Sequence, residues 1–368
     1  MDPYPRTWAE IDLGALAHNL GLIRKIVGPD TSICLVAKAD AYGHGLVPVS
    51  RFAVRAGATH LAVATVSEGI ALRDAGIDVP ILILSPILPV EATQAVFYGL
   101  DVVLENVELA QALSEASTSI GRPSRCHLKI DTGLSRFGCR PAEALEIAQA
   151  IKKLPGVNLV GISQHFIDSR GNDERTNRQL AIFRQTVDEI QSAGIELECI
   201  HAGNSAGAAK HATEVGNLVR IGMLAYGIDG LEMTGGQARP VMSMYSRVIS
   251  VRNIQPGETV GYLATFEAKE PTRVLTVGAG YGDGVSRHLS NKGIVSVGGV
   301  ECPIIGLVCM DQLMVDASHV PDAKIGDTVE LLGAKISAGR LAQMSGSNAH
   351  EIVTRITPRV PRRFKYPD

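Results

Sequence analysis

One lysine stands at the end of an apolar run near the N-terminus. The stretch VAKADAYGHG, residues 36–45, places Lys38 directly before a turn that contains tyrosine, glycine and histidine. A lysine amine in a partly apolar setting forms imines with carbonyl compounds. Other polar residues lie at or just after later apolar runs, and they are candidates for the same site: Lys129, Asp131, Arg136, His165, Asn204, Ser205 and Arg220.

Two glycine-containing stretches, HAGNSAG (201–207) and RIGMLAYG (220–227), indicate that this site also binds an anion. Glycines let backbone N–H groups approach an anion closely, and Asn204 and Ser205 add side-chain donors. Such loops are also ordinary turns when they occur alone. Together with Lys38, they predict a phosphorylated aldehyde cofactor bound as a Schiff base, namely pyridoxal 5'-phosphate.

Eight apolar, β-branched runs precede or contain these residues. Amphipathic segments separate the runs, and a helix over 13–27 with Asp12 as its cap comes before them. Continuous apolar strands that alternate with helices predict an α/β fold, an N-terminal (β/α)₈ TIM-like barrel with its catalytic groups at the carboxyl ends of the strands. The runs are ICLVAKA (33–39), HLAVAT (60–65), ILILS (81–85), DVVLE (101–105), CHLKID (126–131), LVGISQH (159–165), LECIHA (197–202) and LVRIGM (218–223).

The composition changes at DGLEMTGGQARP, residues 229–240, which is rich in glycine and polar residues and ends on proline. Short strand-like runs follow it, with one short helix at AGRLAQMSG. We therefore predict a barrel domain over 1–236 that binds the cofactor, and a mostly β C-terminal domain over 237–368.

The overall composition excludes several classes of protein. The chain has 368 residues, 45% of them hydrophobic, and a formal net charge of −3, which offers no field for a polyanion such as nucleic acid. No apolar stretch approaches the length of a membrane span and the N-terminus lacks an apolar signal region, so we expect a cytoplasmic protein. The six cysteines form no C-x-x-C pair, and we expect buried reduced thiols and no metal site.

The sequence closely resembles the alanine racemase family, pyridoxal-phosphate enzymes that interconvert L- and D-alanine. VAKADAYGHG is similar to the cofactor-lysine signature of that family throughout its length. The resemblance implies the two-domain architecture and a head-to-tail homodimer in which the β domain of one subunit completes the site of the other. Supporting motifs are AEIDLGALAHNL, LKIDTGLSRFG, HAGNSAG, RIGMLAYGI, QPGETVGYLATF, GAGYGDG, GLVCMDQ and RVPRRF.

The resemblance also implies catalytic roles. Lys38 binds the cofactor and then acts as the base on the D face of the substrate, while Tyr262 of the partner subunit is the base on the L face. His165 hydrogen-bonds to that tyrosine. Arg220 faces the pyridine nitrogen, and because arginine does not readily release its proton it leaves the ring a weaker electron sink, which restrains transamination.

Binding roles follow from the same resemblance. The phosphate is held by Tyr42, Ser205, Gly222 and Met223, with Asn204 beside them. The substrate carboxylate is bound by Arg136 and the backbone of Met310, with Tyr281 nearby. Lys129 is carbamylated in the family and steadies the arginine. The physiological role that the resemblance implies is D-alanine biosynthesis for peptidoglycan.

Two departures leave alternatives open. His350 stands where the family usually has a tyrosine that borders the substrate, and Leu307 replaces a frequent arginine in GLVCMDQ. A serine racemase or an amino-acid racemase of broad specificity is therefore the alternative within the family. Outside it, barrel-only proteins bind pyridoxal phosphate without racemase activity, but they lack the second domain.

Overall fold

The structure is a computed structural model that describes residues 5–169, 171, 173–211, 214, 216–228 and 234–367. Residues 229–233 of the predicted linker lie outside the described part. No helix among the described residues is long and apolar enough to cross a membrane.

The chain begins with strand β1 (Thr7–Asp12) and helix α1 (Leu13–Val27). Asp12 caps the helix as predicted, because its Oδ1 accepts a hydrogen bond from the N–H of Ala15 at 2.8 Å. The apolar residues at helical spacing are buried, which fixes the helix against the core: they are Leu13, Leu16, Leu20, Ile23 and Val27.

The eight predicted apolar runs form eight strands of one parallel sheet, which confirms the fold class. From β2 to β8 each strand pairs with the next, and β9 pairs with the free side of β2. The strands are β2 (Ser32–Val36), β3 (His60–Val63), β4 (Ile81–Ile83), β5 (Asp101–Leu104), β6 (Ser124–Lys129), β7 (Val157–Ser163), β8 (Cys199–His201) and β9 (Leu218–Ile221).

The sheet closes into a barrel between β8 and β9. One backbone hydrogen bond joins the two sides, from the N–H of Arg220 to the carbonyl of Gly203 at 3.1 Å. The side-chain amide of Asn217 supplies two more: it accepts from the N–H of Ile200 and donates to the carbonyl of Glu198, each at 2.8 Å. The side chain of Asn217 thus replaces a pair of backbone hydrogen bonds where β8 and β9 meet. It can do so because a carboxamide, like a peptide group, has both a donor and an acceptor.

Helices connect the strands and cover the outside of the barrel. All residues of β4 and β5 are buried, which explains why these strands are continuously apolar rather than alternating. The helices are α2 (Lys38–Gly43), α3 (Leu46–Arg55), α4 (Val66–Asp74), α5 (Ala92–Phe97), α6 (Val107–Ile120), α7 (Pro141–Lys152), α8 (Asp173–Ser192) and α9 (Ser205–Lys210), with a 3₁₀ turn at Pro89–Glu91.

The short element α2 is wound with the opposite hand. Its four residues from Ala39 to Tyr42 have φ angles of 53–56°, in the left-handed region that non-glycine residues rarely adopt. Such a conformation costs roughly 1–2 kcal/mol per residue. Two carboxylates hold the turn in place: Glu68 accepts from the N–H of Ala39 at 2.6 Å, and Asp40 accepts from the N–H of Leu46 at 2.7 Å.

A second, mostly antiparallel sheet follows the linker. Strand β10 pairs with both β17 and β13, so six of its strands close on themselves, while β11 and β12 form a separate hairpin. The strands are β10 (Met242–Ile254), β11 (Thr259–Val260), β12 (Phe266–Glu267), β13 (Thr272–Val277), β14 (Ile294–Val297), β15 (Val300–Ile305), β16 (Leu313–Asp316), β17 (Thr328–Leu332) and β18 (Arg362–Lys365).

Strand β1 belongs to this second sheet rather than to the barrel. It runs antiparallel to β10, with Trp8 opposite Tyr245, and parallel to β18, with Ala9 opposite Arg362. The chain therefore passes through the second sheet before it builds the barrel. The domain limits at residues 236 and 237 remain a prediction.

The prediction of a single helix in the second domain is wrong. The structure has two, α10 (Ala338–Ser345) and α11 (Ala349–Thr354), besides 3₁₀ turns at Tyr262–Ala264, Tyr281–Asp283 and Arg287–Leu289. Helix α11 is too short to show a hydrophobic period. Its start is marked by Asn348, whose side chain accepts from the N–H of Glu351 at 3.0 Å.

Candidate active site

A cavity of about 830 Å³ opens at the carboxyl ends of the barrel strands. This is where an α/β barrel places its catalytic groups. Side chains from α2, β6, β9 and the loops after β7 and β8 meet there, and helix α11 of the second domain covers one side. Ten of the predicted site residues line it: Lys38, Tyr42, Lys129, Arg136, His165, Asn204, Ser205, Arg220, Gly222 and Met223.

Lys38 lies two residues after the end of β2, at the start of the left-handed turn. Burial lowers the pKa of its ammonium group, and the positive charge of Arg136 lowers it further, while Glu68 opposes both effects. The neutral amine, which is the nucleophilic form, is therefore more accessible here than in water.

Arg220 is buried at the floor of the cavity. Its Nη1 donates to Nδ1 of His201 at 2.6 Å and to the carbonyl of His201 at 2.7 Å, and its Nη2 donates to the carbonyl of Gln164 at 2.8 Å. Burial lowers its pKa to about 10, so the guanidinium still keeps its charge at neutral pH. These contacts hold the planar guanidinium of Arg220 in one orientation at the cavity, where it can only donate hydrogen bonds.

His165 lies beside this arginine, with Nδ1 3.4 Å from Nη2 of Arg220. Burial lowers its pKa to about 2, helped by the nearby charges of Arg220, Lys129, Arg136 and Lys38. Because arginine only donates, Nδ1 of His165 accepts and its proton sits on Nε2. The ring is a neutral donor that points away from Arg220.

Tyr42, Ser205 and Gly222 form a group of donors at another edge of the cavity. The N–H of Gly222 donates to Oγ of Ser205 at 3.2 Å, and burial raises the pKa of Tyr42 to about 12, so its hydroxyl keeps its proton. A Cβ at position 222 would lie 2.7 Å from Oη of Tyr42, so only glycine leaves this space open. Two hydroxyl groups and a nearby backbone amide suit a phosphate.

Lys129 and Arg136 pack on opposite parts of Phe137. Nζ of Lys129 is 5.8 Å, and Cζ of Arg136 4.9 Å, from the centre of that ring. Burial lowers the pKa of Lys129 well below its usual range, and the charges of Arg220 and Arg136 add to the effect. The burial and the two arginine charges therefore favour the neutral form of the Lys129 amine.

Four predicted site residues do not line the cavity. One is Asp131, whose carboxylate instead accepts from the N–H groups of Gly133 and Ser135 in the loop after β6. The other three are Tyr262, Tyr281 and Met310, which are 72%, 40% and 53% exposed and which we call the β-domain cluster. They surround one loop, since the N–H of Tyr281 donates to the carbonyl of Cys309 at 2.9 Å and Gly261, which precedes Tyr262, lies next to the backbone of Leu307. Within a single chain they form a surface rather than a site.

Helix α11 contributes residues that the sequence analysis missed. Asn348, Glu351, Thr354 and Arg355 line the cavity, and only His350 among the α11 residues had been singled out. The ring of His350 lies 5.8 Å from that of Tyr42, so this side chain borders the cavity as expected. The asparagine cap at Asn348 was the one local signal of this helix.

Comparison with known proteins extends over nearly the whole chain. Residues 11–230 match the family described as "Alanine racemase, N-terminal domain", and residues 241–364 match "Alanine racemase, C-terminal domain". The chain belongs to the alanine racemase family.

Individual relatives agree with this assignment. The alanine racemase of Halothermothrix orenii is 35% identical over 98% of this chain and 97% of its own length, and that of Desulfovibrio desulfuricans is 38% identical over 97% of each. The solved alanine racemase of Clostridium difficile 630 superimposes with a TM-score of 0.94 at 31% identity, over 99% of this chain and 97% of its own. That of Bacillus anthracis, solved with bound L-Ala-P, gives 0.92 at 31% identity, over 100% and 96%.

Proposed function

We propose that the protein interconverts L-alanine and D-alanine with pyridoxal 5'-phosphate held by Lys38. The observation that carries the proposal is the position of Lys38 in a cavity with Arg136 and Arg220, in a chain that matches the alanine racemase family over residues 11–230 and 241–364. When bound, the cofactor supplies the electron sink without which the Cα proton of an amino acid is too weakly acidic to remove.

The residues present fit this cofactor. The amine of Lys38 is shifted toward its neutral form, as imine formation requires, and the space beside Gly222 is bordered by the hydroxyls of Tyr42 and Ser205. Lys38, Tyr42, Ser205, Gly222 and Met223 would hold the group, with Asn204 placing Ser205. Asn204 does so by capping α9, because its Oδ1 accepts from the N–H of Gly207 at 2.9 Å.

Two bases move the substrate proton. Lys38 takes or returns it on one face of Cα, and Tyr262 of the partner subunit does so on the other. Tyrosine has an ordinary pKa near 10, so its anion needs stabilisation at neutral pH. The Nε2–H of His165, which points away from Arg220, is the donor that this chain offers for that purpose.

Arg220 is assigned the role of favouring racemisation of the substrate over transamination. It remains charged in its buried position and only donates, so it leaves the ring nitrogen without a proton. A weaker electron sink favours return of the proton to Cα over its transfer elsewhere, which restrains transamination.

The substrate carboxylate is assigned to Arg136 and to the backbone of Met310 from the partner. We further propose that Lys129 reacts with CO₂ to give a carbamate and a proton. The reaction requires a neutral amine, a form that burial favours here, and the product would place a negative charge near Arg136, since both side chains pack on Phe137. Lys129 would thus orient Arg136 instead of repelling it.

We also propose a head-to-tail homodimer, which the exposure of the β-domain cluster supports. Tyr262 and Met310 are exposed in the single chain, although both would have to contact the substrate. A twofold arrangement with the cluster of one subunit over the barrel cavity of the other would form two equal sites.

The alternative within the family rests on His350. Its imidazole is smaller than a phenol and borders the cavity, which leaves room for a larger side chain such as that of serine. A barrel-only cofactor-binding protein is disfavoured by the second domain, which matches the family over residues 241–364.

The test is to incubate the purified protein and cofactor with each L-amino acid and to measure the D-product. We expect D-alanine to form fastest, with D-serine as the next product. Lys38→Ala protein serves as the control for background racemisation. Formation of no D-amino acid by cofactor-loaded protein would contradict the proposal, and faster formation of D-serine would favour the alternative.

A further inference from the structure

A line of buried polar side chains continues from Arg220 down the interior of the barrel. Nη1 of Arg220 lies 2.6 Å from Nδ1 of His201, Nε2 of His201 lies 2.9 Å from Nδ1 of His127, and Nε2 of His127 lies 3.5 Å from Oδ2 of Asp101. The four residues come from four strands, β9, β8, β6 and β5. None of the last three takes part in the proposed proton transfers.

Arg220, at one end of the line, determines which ring nitrogen of each histidine carries the proton. Because arginine only donates, Nδ1 of His201 accepts and its proton lies on Nε2. His201 therefore donates to Nδ1 of His127, which leaves the proton of His127 on Nε2, facing the carboxylate of Asp101. Arg220 and His201 thus donate along the line, and Nε2 of His127 faces Asp101 at an ion-pair distance of 3.5 Å without a formed hydrogen bond.

The barrel is built to hold this line. A Cβ at Gly161 on β7 would lie 2.2 Å from Nδ1 of His127, so the imidazole occupies space that only glycine leaves open. His201, His127 and Asp101 are 0%, 2% and 4% exposed. Aromatic contact adds to the order, since the two imidazole rings lie edge to face with centroids 5.0 Å apart.

Asp101 closes the line at the far end of the barrel. Nε of Arg125 lies 3.3 Å from its carboxylate, and both residues border a cavity of about 300 Å³. Burial raises the pKa of Asp101, but contact with His127 and Arg125 outweighs this effect and lowers it overall. The line therefore ends on a carboxylate that is ionised at neutral pH.

We propose that Asp101 and His127 are positioning residues that act through His201 to hold Arg220 in its orientation toward the cavity. Asp101 supplies a negative charge that faces the Nε2–H of His127, His127 accepts from His201, and His201 accepts from one arm of the guanidinium. This inference rests on the proposed function, because it assigns Arg220 to the ring nitrogen of the cofactor.

The first test observes the tautomers directly. Full-length protein with cofactor and without substrate is labelled with ¹⁵N-histidine, and ring nitrogens are assigned through His127→Gln and His201→Gln variants. We expect His201 and His127 each to carry a single proton, on Nε2, at pH 7.5. A proton on Nδ1 of either ring, or on both nitrogens of either, would overturn the proposal. The result does not depend on which reaction the protein catalyses.

The second test compares His127→Phe with His127→Gln. Phenylalanine has an aromatic ring of similar size but removes the hydrogen bond to His201 and the polar contact with Asp101, whereas glutamine retains one acceptor and one donor. Losing an outer partner of a site commonly lowers activity 10–100-fold, so we expect His127→Phe to lower kcat for alanine about tenfold and to raise pyruvate formed per D-alanine. KM should not change, because Arg136 is untouched, and His127→Gln should recover most of both quantities.

Wild-type kcat and pyruvate ratio in folded His127→Phe protein would overturn the positioning role even if the tautomers are as expected. Asp101→Asn serves if His127→Phe does not fold, since it keeps the acceptor and removes only the charge. It should change the same two quantities in the same direction, and wild-type values would again overturn the role. If wild-type protein racemises no amino acid, the proposed function fails, and the tautomer measurement still decides whether the ordered line exists.

Discussion

The two parts of the proposed site differ in how far a single chain has already organised them. In the barrel, Lys129 and Arg220 are 6% and 4% exposed, and Arg220 makes hydrogen bonds to its neighbours before any ligand arrives. In the β-domain cluster, Tyr262 is 72% exposed, and only the left-handed backbone of Leu263 and Ala264 after it is unusual. Burial and charge therefore mark the half proposed to bind the cofactor, whereas the half proposed to supply the second base would depend on assembly.

Lys38→Ala should have the largest effect, because it removes the cofactor link and one base from the organised half. We expect racemisation to fall by more than about 10⁴-fold, beyond the usual contribution of one general base. D-alanine formation and the visible absorption of bound cofactor would be measured. Replacing the exposed Lys153 by alanine is the matched control. Racemisation at the wild-type rate by the Lys38→Ala protein would remove the central assignment.

Tyr262→Phe tests the half that depends on assembly. The homodimer should lose roughly 10²–10⁴-fold in rate, the range of one acid–base group, while cofactor absorption stays normal. Normal absorption separates this variant from Lys38→Ala.

Mixed dimers sharpen the comparison further. One site of a Lys38→Ala/Tyr262→Phe heterodimer lacks both bases and the other keeps both, so co-refolding should restore up to about half of the wild-type activity per heterodimer. Differential tags would isolate the mixed species. No recovery in well-folded heterodimers would mean that Tyr262 acts in its own chain or is not a base.

The Arg220→Glu variant tests whether Arg220 restrains transamination relative to racemisation. A carboxyl group beside the ring nitrogen permits protonation there and strengthens the electron sink. We expect pyruvate per D-alanine to rise by about tenfold, equivalent to a change of roughly 1.4 kcal/mol in relative barrier height. Arg220→Lys keeps a cationic donor and should keep the ratio low. An unchanged or lower ratio in Arg220→Glu would count against the assigned role.

Low pH should destabilise the barrel domain, because buried histidines that are neutral in the folded protein bind protons more readily when the chain is unfolded. Burial lowers the pKa of His44 to about 4, against about 6.5 in the unfolded chain, so below pH 6.5 the unfolded state binds more protons and stability falls as pH falls. The loss from His44 alone is about 2 kcal/mol between pH 7 and pH 5. Urea unfolding at both pH values would show it, and His44→Phe should reduce the difference by that amount. An unchanged difference would exclude His44 as a source.

His350→Tyr should have the smallest effect, on specificity rather than on rate. A phenol fills the space beside the substrate side chain, and such a change in a pocket is worth about 1–3 kcal/mol. The ratio of kcat/KM for serine to that for alanine should fall by roughly tenfold. Equal ratios in the two proteins would show that His350 does not set the substrate range.

Local sequence patterns were sufficient for the barrel and for much of its site. Continuous apolar runs identified all eight strands, and Lys38 and Arg220 were found because parallel strands bring their carboxyl ends together. Strand β1 was missed because its partners lie more than two hundred residues away, and TWAEID alone resembles the approach to a helix cap. The left-handed turn was equally invisible, since contacts with Glu68 and not local preference hold it. His127 and His201 gave no signal because single histidines in apolar strands are common core residues.

The pairing of β1 with β18 has a consequence for synthesis of the chain. Ala9 pairs with Arg362, so a ribosome adding 5–20 residues per second needs roughly 20–70 s between making the first strand and making its last neighbour. During that interval a strand whose Trp8, Ala9 and Ile11 end up buried has an open edge, and open edges recruit other chains. Nascent chains that stop short of residue 362 should therefore aggregate even with a finished barrel, because the edge of β1 stays open until β18 has been made.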